Sequence, residues 1–239
     1  MSRYKLRANY DIENIDSQKM DGTVIVDVPM LSNGELNYGL SHIKKKLYEE
    51  NVYPSEIGFD IMSLATMVYM ADTRIERVVH GKDSWTREIE LEIPVSNVEI
   101  WDSQIRTVER MLKFLTGDLW KITLSSRAWQ FNNLEEVREK SNKYDEVSLF
   151  SGGMDSLIST INLMENKKNT LLISHAGEGL TKNAQKNIVN KFDLLYPDVL
   201  HTWLDLWMVF PRDYIPAGGN DNNTRSRSFL FIGYALFAM

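Results

Sequence analysis

Val147-Ser148-Leu149-Phe150-Ser151-Gly152-Gly153-Met154-Asp155-Ser156 sets an apolar run, a pair of glycines and the start of the amphipathic segment Leu157 to Met164 in direct succession. That order is a strand, a tight turn and a helix. Adjacent glycines leave the turn without Cβ atoms, so its backbone can approach a ligand and present successive N–H groups to it. The helix beginning there adds unpaired N–H groups and the positive end of its dipole. Ser151 and Ser156 add hydroxyls, and Asp155 stands where it can hold Mg²⁺ beside phosphates or accept loop N–H bonds. Ser151, Gly152, Gly153, Met154, Asp155 and Ser156 are therefore expected to cradle a nucleotide polyphosphate, with Asp155 as the Mg²⁺ ligand and Asp155, Ser156 and the downstream Arg227 in the catalytic group.

Downstream the pattern alternates strand and helix. Strands are expected at Glu146 to Phe150, Thr170 to Ser174 and Val199 to Leu206, and helices at Leu157 to Met164, Lys182 to Leu195 and Arg227 to Met239. Such alternation implies a parallel sheet covered by helices, with ligands at the carboxyl ends of its strands. The glycine turn lies at one such end, and His175-Ala176-Gly177-Glu178-Gly179 at the next. Arg225 and Arg227 precede a helix that is apolar all round, Phe229 to Ala238, too short to span a bilayer and so a buried core element. A guanidinium carries a fixed fork of donors suited to phosphate, and Arg225 and Arg227 are expected to bind phosphate, Arg227 foremost.

The chain has 239 residues, 43% hydrophobic and 25% charged, an ordinary composition for a soluble globular protein with a sizeable core. It has no cysteine, which excludes disulfides, thiolate zinc sites and cysteine nucleophiles within these residues. No stretch approaches the ~18 apolar residues of a membrane span and no apolar leader follows Met1, so a cytoplasmic protein is expected. Of the net charge of −6, residues 146–239 carry −1, from eight Lys/Arg and nine Asp/Glu, and residues 1–145 the remaining −5. An acidic half is a poor surface for nucleic acid, which leaves a small molecule or a protein as the second ligand.

The polar run Arg138 to Lys143 marks a boundary, giving an accessory α+β domain over 1–143 and a nucleotide-binding domain over 144–239. In the first, Val24, Val26 and Val28 form a strand, and Ile89, Leu91, Ile93 and Val95 alternate with Glu88, Glu90, Glu92 and Pro94. The second pattern is expected of an antiparallel sheet with one face in water. Helices are expected around Gly39 to Glu50, Ser55 to Met70 and Ser103 to Leu115, the last ended by Gly117, with a strand at Trp120 to Leu124.

The SGGxDS pattern, matched at all five specified positions from Ser151 to Ser156, resembles the signature of the PP-loop or N-type ATP pyrophosphatases. The resemblance implies a HUP-like α/β fold, ATP and Mg²⁺ as cofactors, transfer of AMP to a substrate oxygen, and release of pyrophosphate. It also implies that the backbone at Ser174, His175, Ala176 and Gly177 holds adenosine. A Walker pattern is absent, because Gly81-Lys82 is followed by Asp83. Arg227-Ser228-Phe229-Leu230 with Ala235 or Ala238 is similar to the helix of the 7-cyano-7-deazaguanine synthases, the QueC-like group. With the runs Trp85 to Val95 and Phe114 to Trp120, the chain most resembles the QatC proteins of phage-defence operons. QueC synthases carry a four-cysteine zinc site late in the chain, and here it could come only from residues beyond Met239, where the family's sheet has further strands. The cysteine-dependent branches, sulfur transferases and glutamine amidotransferases, do not fit.

These features lead to one expected function and one rival. The first is an AMP-forming ligase that adenylates a carboxylate or amide oxygen of a deazapurine-type substrate for attack by ammonia or a protein amine, in antiviral defence. The rival is a nucleotide-sensing scaffold that binds a protein from the same operon through residues 1–145 without turnover.

Overall fold

The computed structural model describes residues 3–131, 143–175, 179–223 and 225–239. Strands β1 (Arg3–Asn9), β2 (Asp16–Met20) and β3 (Thr23–Pro29) open the chain, and the short strands β4 (Leu31–Ser32) and β5 (Glu35–Leu36) form a small hairpin. Helices α1 (Leu40–Glu49), α2 (Glu56–Arg74) and α3 (Arg77–His80) lead to β6 (Glu88–Val95). Then come α4 (Val98–Asp102), α5 (Ile105–Thr116) and β7 (Leu119–Ser126). The remainder alternates: β8 (Glu146–Leu149), α6 (Met154–Glu165), β9 (Thr170–His175), α7 (Gly179–Leu195), β10 (His201–Leu206) and α8 (Arg227–Phe237).

Local chemistry sets several boundaries. Ser55 caps α2, its hydroxyl accepting from the Gly58 N–H at 3.0 Å, and Asn97 caps α4 by accepting from Ile100 N–H. Gly117 ends α5 in the left-handed region at φ 78°. The β2–β3 hairpin turns through Asp21 (φ 49°) and Gly22 (φ 76°), and positive φ at both central residues matches the twist of the paired strands.

The larger sheet has the order β2-β3-β1-β6-β7, parallel except for the edge strand β2; the smaller, β10-β9-β8, is parallel throughout. The protein is thus α/β, as the alternation after residue 145 implies. The direction of β6 departs from the antiparallel expectation, since it pairs parallel with both β1 and β7. The alternation of Glu88 to Val95 reports one buried and one wet face and says nothing of direction. The wet face is stabilised by charge pairs between neighbouring strands: Arg3 with Glu88, Lys5 with Glu90 and Glu92, and Arg7 with Asp27.

One apolar core runs from the larger sheet to the smaller, through Leu6, Val26 and Leu91, then Phe59, Met67, Leu230 and Phe237 of α2 and α8, to Leu171 and Ile173 of β9. Helix α8 crosses α2 closely because Gly233 has no side chain: a Cβ there would lie 2.8 Å from that of Ala65. Leu172, the residue between Leu171 and Ile173, faces the other way, joining Phe150, Phe192, Leu157, Ile161 and Ile188 beneath α6 and α7. The smaller sheet therefore has helices on both faces, as buried parallel strands require.

Buried charge fastens the chain entering α8 to the larger sheet. Asp72, Asp118 and Arg87 are almost wholly buried, and Arg77 nearly so. Asp118 accepts from Arg77 at 2.7 and 2.9 Å, and from Arg87 Nη2 at 2.6 Å. Asp72 accepts from Arg87 Nη2 and, at 3.0 Å, from the backbone N–H of Ser226. The Asp221 carboxylate adds a bond from the Arg77 N–H.

Candidate functional site

The glycine turn is built as its sequence suggests. Phe150 is buried at the end of β8, and its N–H continues the ladder to Ile173 O at 2.7 Å. Gly152 then takes φ 82°, the left-handed conformation glycine favours, and Gly153 is the N-cap of α6 in extended conformation. No side chain caps α6. Ser156 Oγ donates to Gly153 O at 2.9 Å and receives the Ser151 hydroxyl at 3.1 Å, so neither serine serves as an ordinary helix cap. The Gly153 N–H is donated to Ser151 Oγ at 3.3 Å, and no side chain accepts from the first-turn N–H groups of α6. Met154 and Asp155 are exposed at the first and second positions of the helix.

Beneath the turn lies Gln185 of α7, 1% exposed. Its Nε2 donates to Ser151 O at 2.9 Å and to Phe150 O at 3.3 Å. A Cβ on Gly152 would lie 2.9 Å from Gln185 Cγ, so the second requirement for glycine there is this contact. The sequence carried a signal for Gln185 that the strand-turn-helix reading passed over: it shares the stripe of Ile188, Val189 and Phe192, where an apolar residue is the norm.

Of the expected adenosine contacts, Ser174 and His175 end β9 next to the turn; Ala176 and Gly177 lie outside the described residues. The Ser174 side chain is wholly buried, donating to Phe150 O and accepting from Trp203 Nε1 at 2.8 Å. It ties three strands together. His175 is buried rather than looped out, stacked on Tyr234 with ring centres 5.9 Å apart and close to Phe231 and Tyr69.

The two arginines part company. Arg227 lies over Phe231, 5.7 Å from its centre, and its charge acts on the Tyr69 hydroxyl. Burial pushes that hydroxyl's pKa up, and Arg227 and Arg74 offset part of the rise. Arg225 lies over the Trp85 indole at 4.3 Å and donates to Thr116 O at 2.9 Å. It is engaged by the larger sheet's loops, whereas Arg227 joins His175 at the carboxyl edge of the smaller sheet.

Four buried polar atoms at or near that edge have no hydrogen bond among the described residues: Gln185 Oε1, Asp205 Oδ1, Arg227 Nε and Tyr234 Oη. They come from α7, β10 and α8. Asp205, opposite Ser174 at the end of β10, is also ion-paired to Lys182, and its carbonyl accepts from Lys46 at 2.6 Å. Burial lowers the Lys46 pKa, and Lys182 lowers it further against the pull of Asp205. Lys46, Tyr69, Lys182, Gln185, Asp205 and Tyr234 were not among the residues singled out in the sequence, because they meet the turn, His175 or one another only in the folded chain.

Comparison with protein-family models, with curated proteins and with solved structures gives no match for this chain. Among the described residues, no helix is long and apolar enough to cross a membrane, and no group of three or more His, Asp or Glu side chains is placed to hold a metal ion.

Proposed function

We propose that this chain binds ATP with Mg²⁺ and transfers AMP to an oxygen of its substrate, releasing pyrophosphate, as a cytoplasmic C–N ligase of the PP-loop type. The observation that carries the reading is the uncapped start of α6 behind the left-handed Gly152, at the carboxyl end of a parallel strand. Backbone N–H groups aimed at one point, beside a helix N-terminus, bind phosphate oxygens and stabilise charge on departing pyrophosphate. Mg²⁺ in such sites is held by one or two carboxylates and the substrate's phosphates, and Asp155 supplies a carboxylate of that kind. Bound there, the ion would neutralise phosphate charge. Ser151 and Ser156 would donate hydroxyls, and Arg227 would bring its guanidinium to the phosphates from the next strand end.

The substrate's carboxylate or amide oxygen attacks the α-phosphorus, and the bond to the bridging oxygen of pyrophosphate breaks. Ammonia or a protein amine then attacks the adenylated carbon, and AMP leaves with the electron pair of the C–O bond. No protein nucleophile is required, which suits a chain without cysteine. The likeness of the Arg227 to Ala238 helix to the QueC-like group supports a deazapurine-type substrate, and that to the QatC proteins an antiviral role. Any zinc site would have to come from residues other than these.

Incubation of the protein with ATP·Mg²⁺ and candidate substrates, followed by mass spectrometry of the nucleotides, is expected to give AMP and pyrophosphate. ADP as the product would end the reading. Arg227→Ala is expected to weaken calorimetric binding of a non-hydrolysable ATP analogue by about ten-fold, the loss of one charge-assisted contact, and Arg225→Ala far less. Equal effects would remove Arg227 from the site.

A second reading, a nucleotide-sensing scaffold, is favoured by apolar side chains the larger sheet's helices and loops leave in water: Val78, Val79, Trp85 and Phe114, the last 89% exposed. Nucleotide binding without turnover, together with capture of a protein from the same operon, would favour it.

A further inference from the structure

Gln185 occupies a position in α7 where an apolar side chain would fill the same space at no polar cost. Its amide reaches the two carbonyl groups that precede Gly152, those of Phe150 and Ser151. In a trans peptide the C=O and the following N–H point in opposite directions. Drawing the Phe150 and Ser151 carbonyls inward onto Gln185 therefore turns the N–H groups of Ser151 and Gly152 outward. Ser174 Oγ adds a second donor to Phe150 O. An anion cradle needs this polarity before any anion arrives, and it needs buried donors for the carbonyls on its far side. The close approach of Gln185 Cγ to Gly152 leaves that residue no room for a side chain, which holds the left-handed turn against the helix.

We infer that Gln185 is a positioning residue, which presets the turn with the N–H groups of Ser151 and Gly152 facing the polyphosphate of the nucleotide. The inference rests on the proposed nucleotide site and goes beyond it in assigning the donor that orients the loop. Because Gln185 acts on the backbone beneath the phosphates, its loss affects every polyphosphate ligand alike, whatever base that ligand carries.

The test is isothermal titration of the full chain with Mg²⁺·tripolyphosphate and with Mg²⁺·ATP, for wild type, Gln185→Met and Gln185→Glu, each checked for a cooperative thermal transition. Met keeps the volume and removes both donors; Glu keeps the shape and sets a carboxylate against two carbonyl oxygens. Both ligands are expected to lose about ten-fold in affinity with Met and at least as much with Glu. Amide resonances of Gly152 and Gly153 are expected to shift in both variants before ligand is added. Wild-type affinity in Gln185→Met would overturn the inference and leave Gln185 as a filler of the core. So would a loss for ATP with tripolyphosphate binding unchanged, since it would place Gln185 at the base. If wild type bound neither ligand, the nucleotide reading would fall, and the inference with it; the wild-type titration separates that case from the first two. If one variant lacks a cooperative transition, the other carries the comparison.

Discussion

Alanine at position 155 is expected to cut pyrophosphate release by about three orders of magnitude or more while the protein keeps its fold. Asp155 is exposed at the second position of α6, where it packs against no core residue and holds no helix cap. Substitution of an exposed residue of this sort changes stability by roughly 0.5 kcal/mol or less. Loss of a carboxylate that holds Mg²⁺ on the departing pyrophosphate removes several kcal/mol of transition-state stabilisation, at about 1.4 kcal/mol per ten-fold in rate. Thermal melting and pyrophosphate release, measured on wild type and Asp155→Ala, check both halves. Full activity in the variant would make Asp155 a helix-terminus charge with no part in catalysis.

The largest effect on stability is expected at the opposite end of the problem, in the buried charge cluster. Asp118→Asn should lower the free energy of unfolding by about 3–5 kcal/mol, because Arg77 and Arg87 would be left in the interior without the Asp118 carboxylate that bonds to both of them. Burial alone would raise the Asp118 carboxyl, but its bonds to Arg87 and Arg77 and their charge hold its pKa below the ordinary carboxylate range. A carboxylate whose pKa is depressed by folding contributes stability above its unfolded pKa and loses it as the pH falls through the folded value. Urea denaturation at neutral pH and at successively lower pH reads both effects, with wild type converging on the variant in acid. An unchanged midpoint at neutral pH would mean that the two arginines are satisfied without Asp118. The entry to α8 should loosen as well, since the same cluster receives Ser226 through Asp72.

Much of the strand and helix content was legible because it follows from local rules, although β1, β2, the short strands β4 and β5, and helices α3 and α4 were not expected from the sequence. Gly117 stops α5 and Ser55 starts α2 through bonds made within a few residues, and the apolar periods of β6, β9 and α8 are visible without any tertiary context. The glycine turn was legible for the same reason, its strand, glycines and helix start being contiguous. Strand direction was not, since the alternation of Glu88 to Val95 is compatible with either neighbour arrangement. The contacts that separate Arg225 from Arg227 were not legible, since Trp85 and Thr116 reach Arg225 from the larger sheet while Arg227 lies on Phe231, one turn further on in its own helix.

The sequence by itself determined that this is an α/β chain and where its glycine turn lies, because both are written in periodicities and turn residues that act over a few positions. Only the tertiary structure decided what stands around that turn. Gln185 reaches it from 34 residues away along the chain, and Tyr69 is brought to His175 from beyond the boundary at residues 138–143. Such neighbours are chosen by the burial of α2, α7 and α8 against two sheets, a balance summed over the whole core that no short stretch of sequence contains.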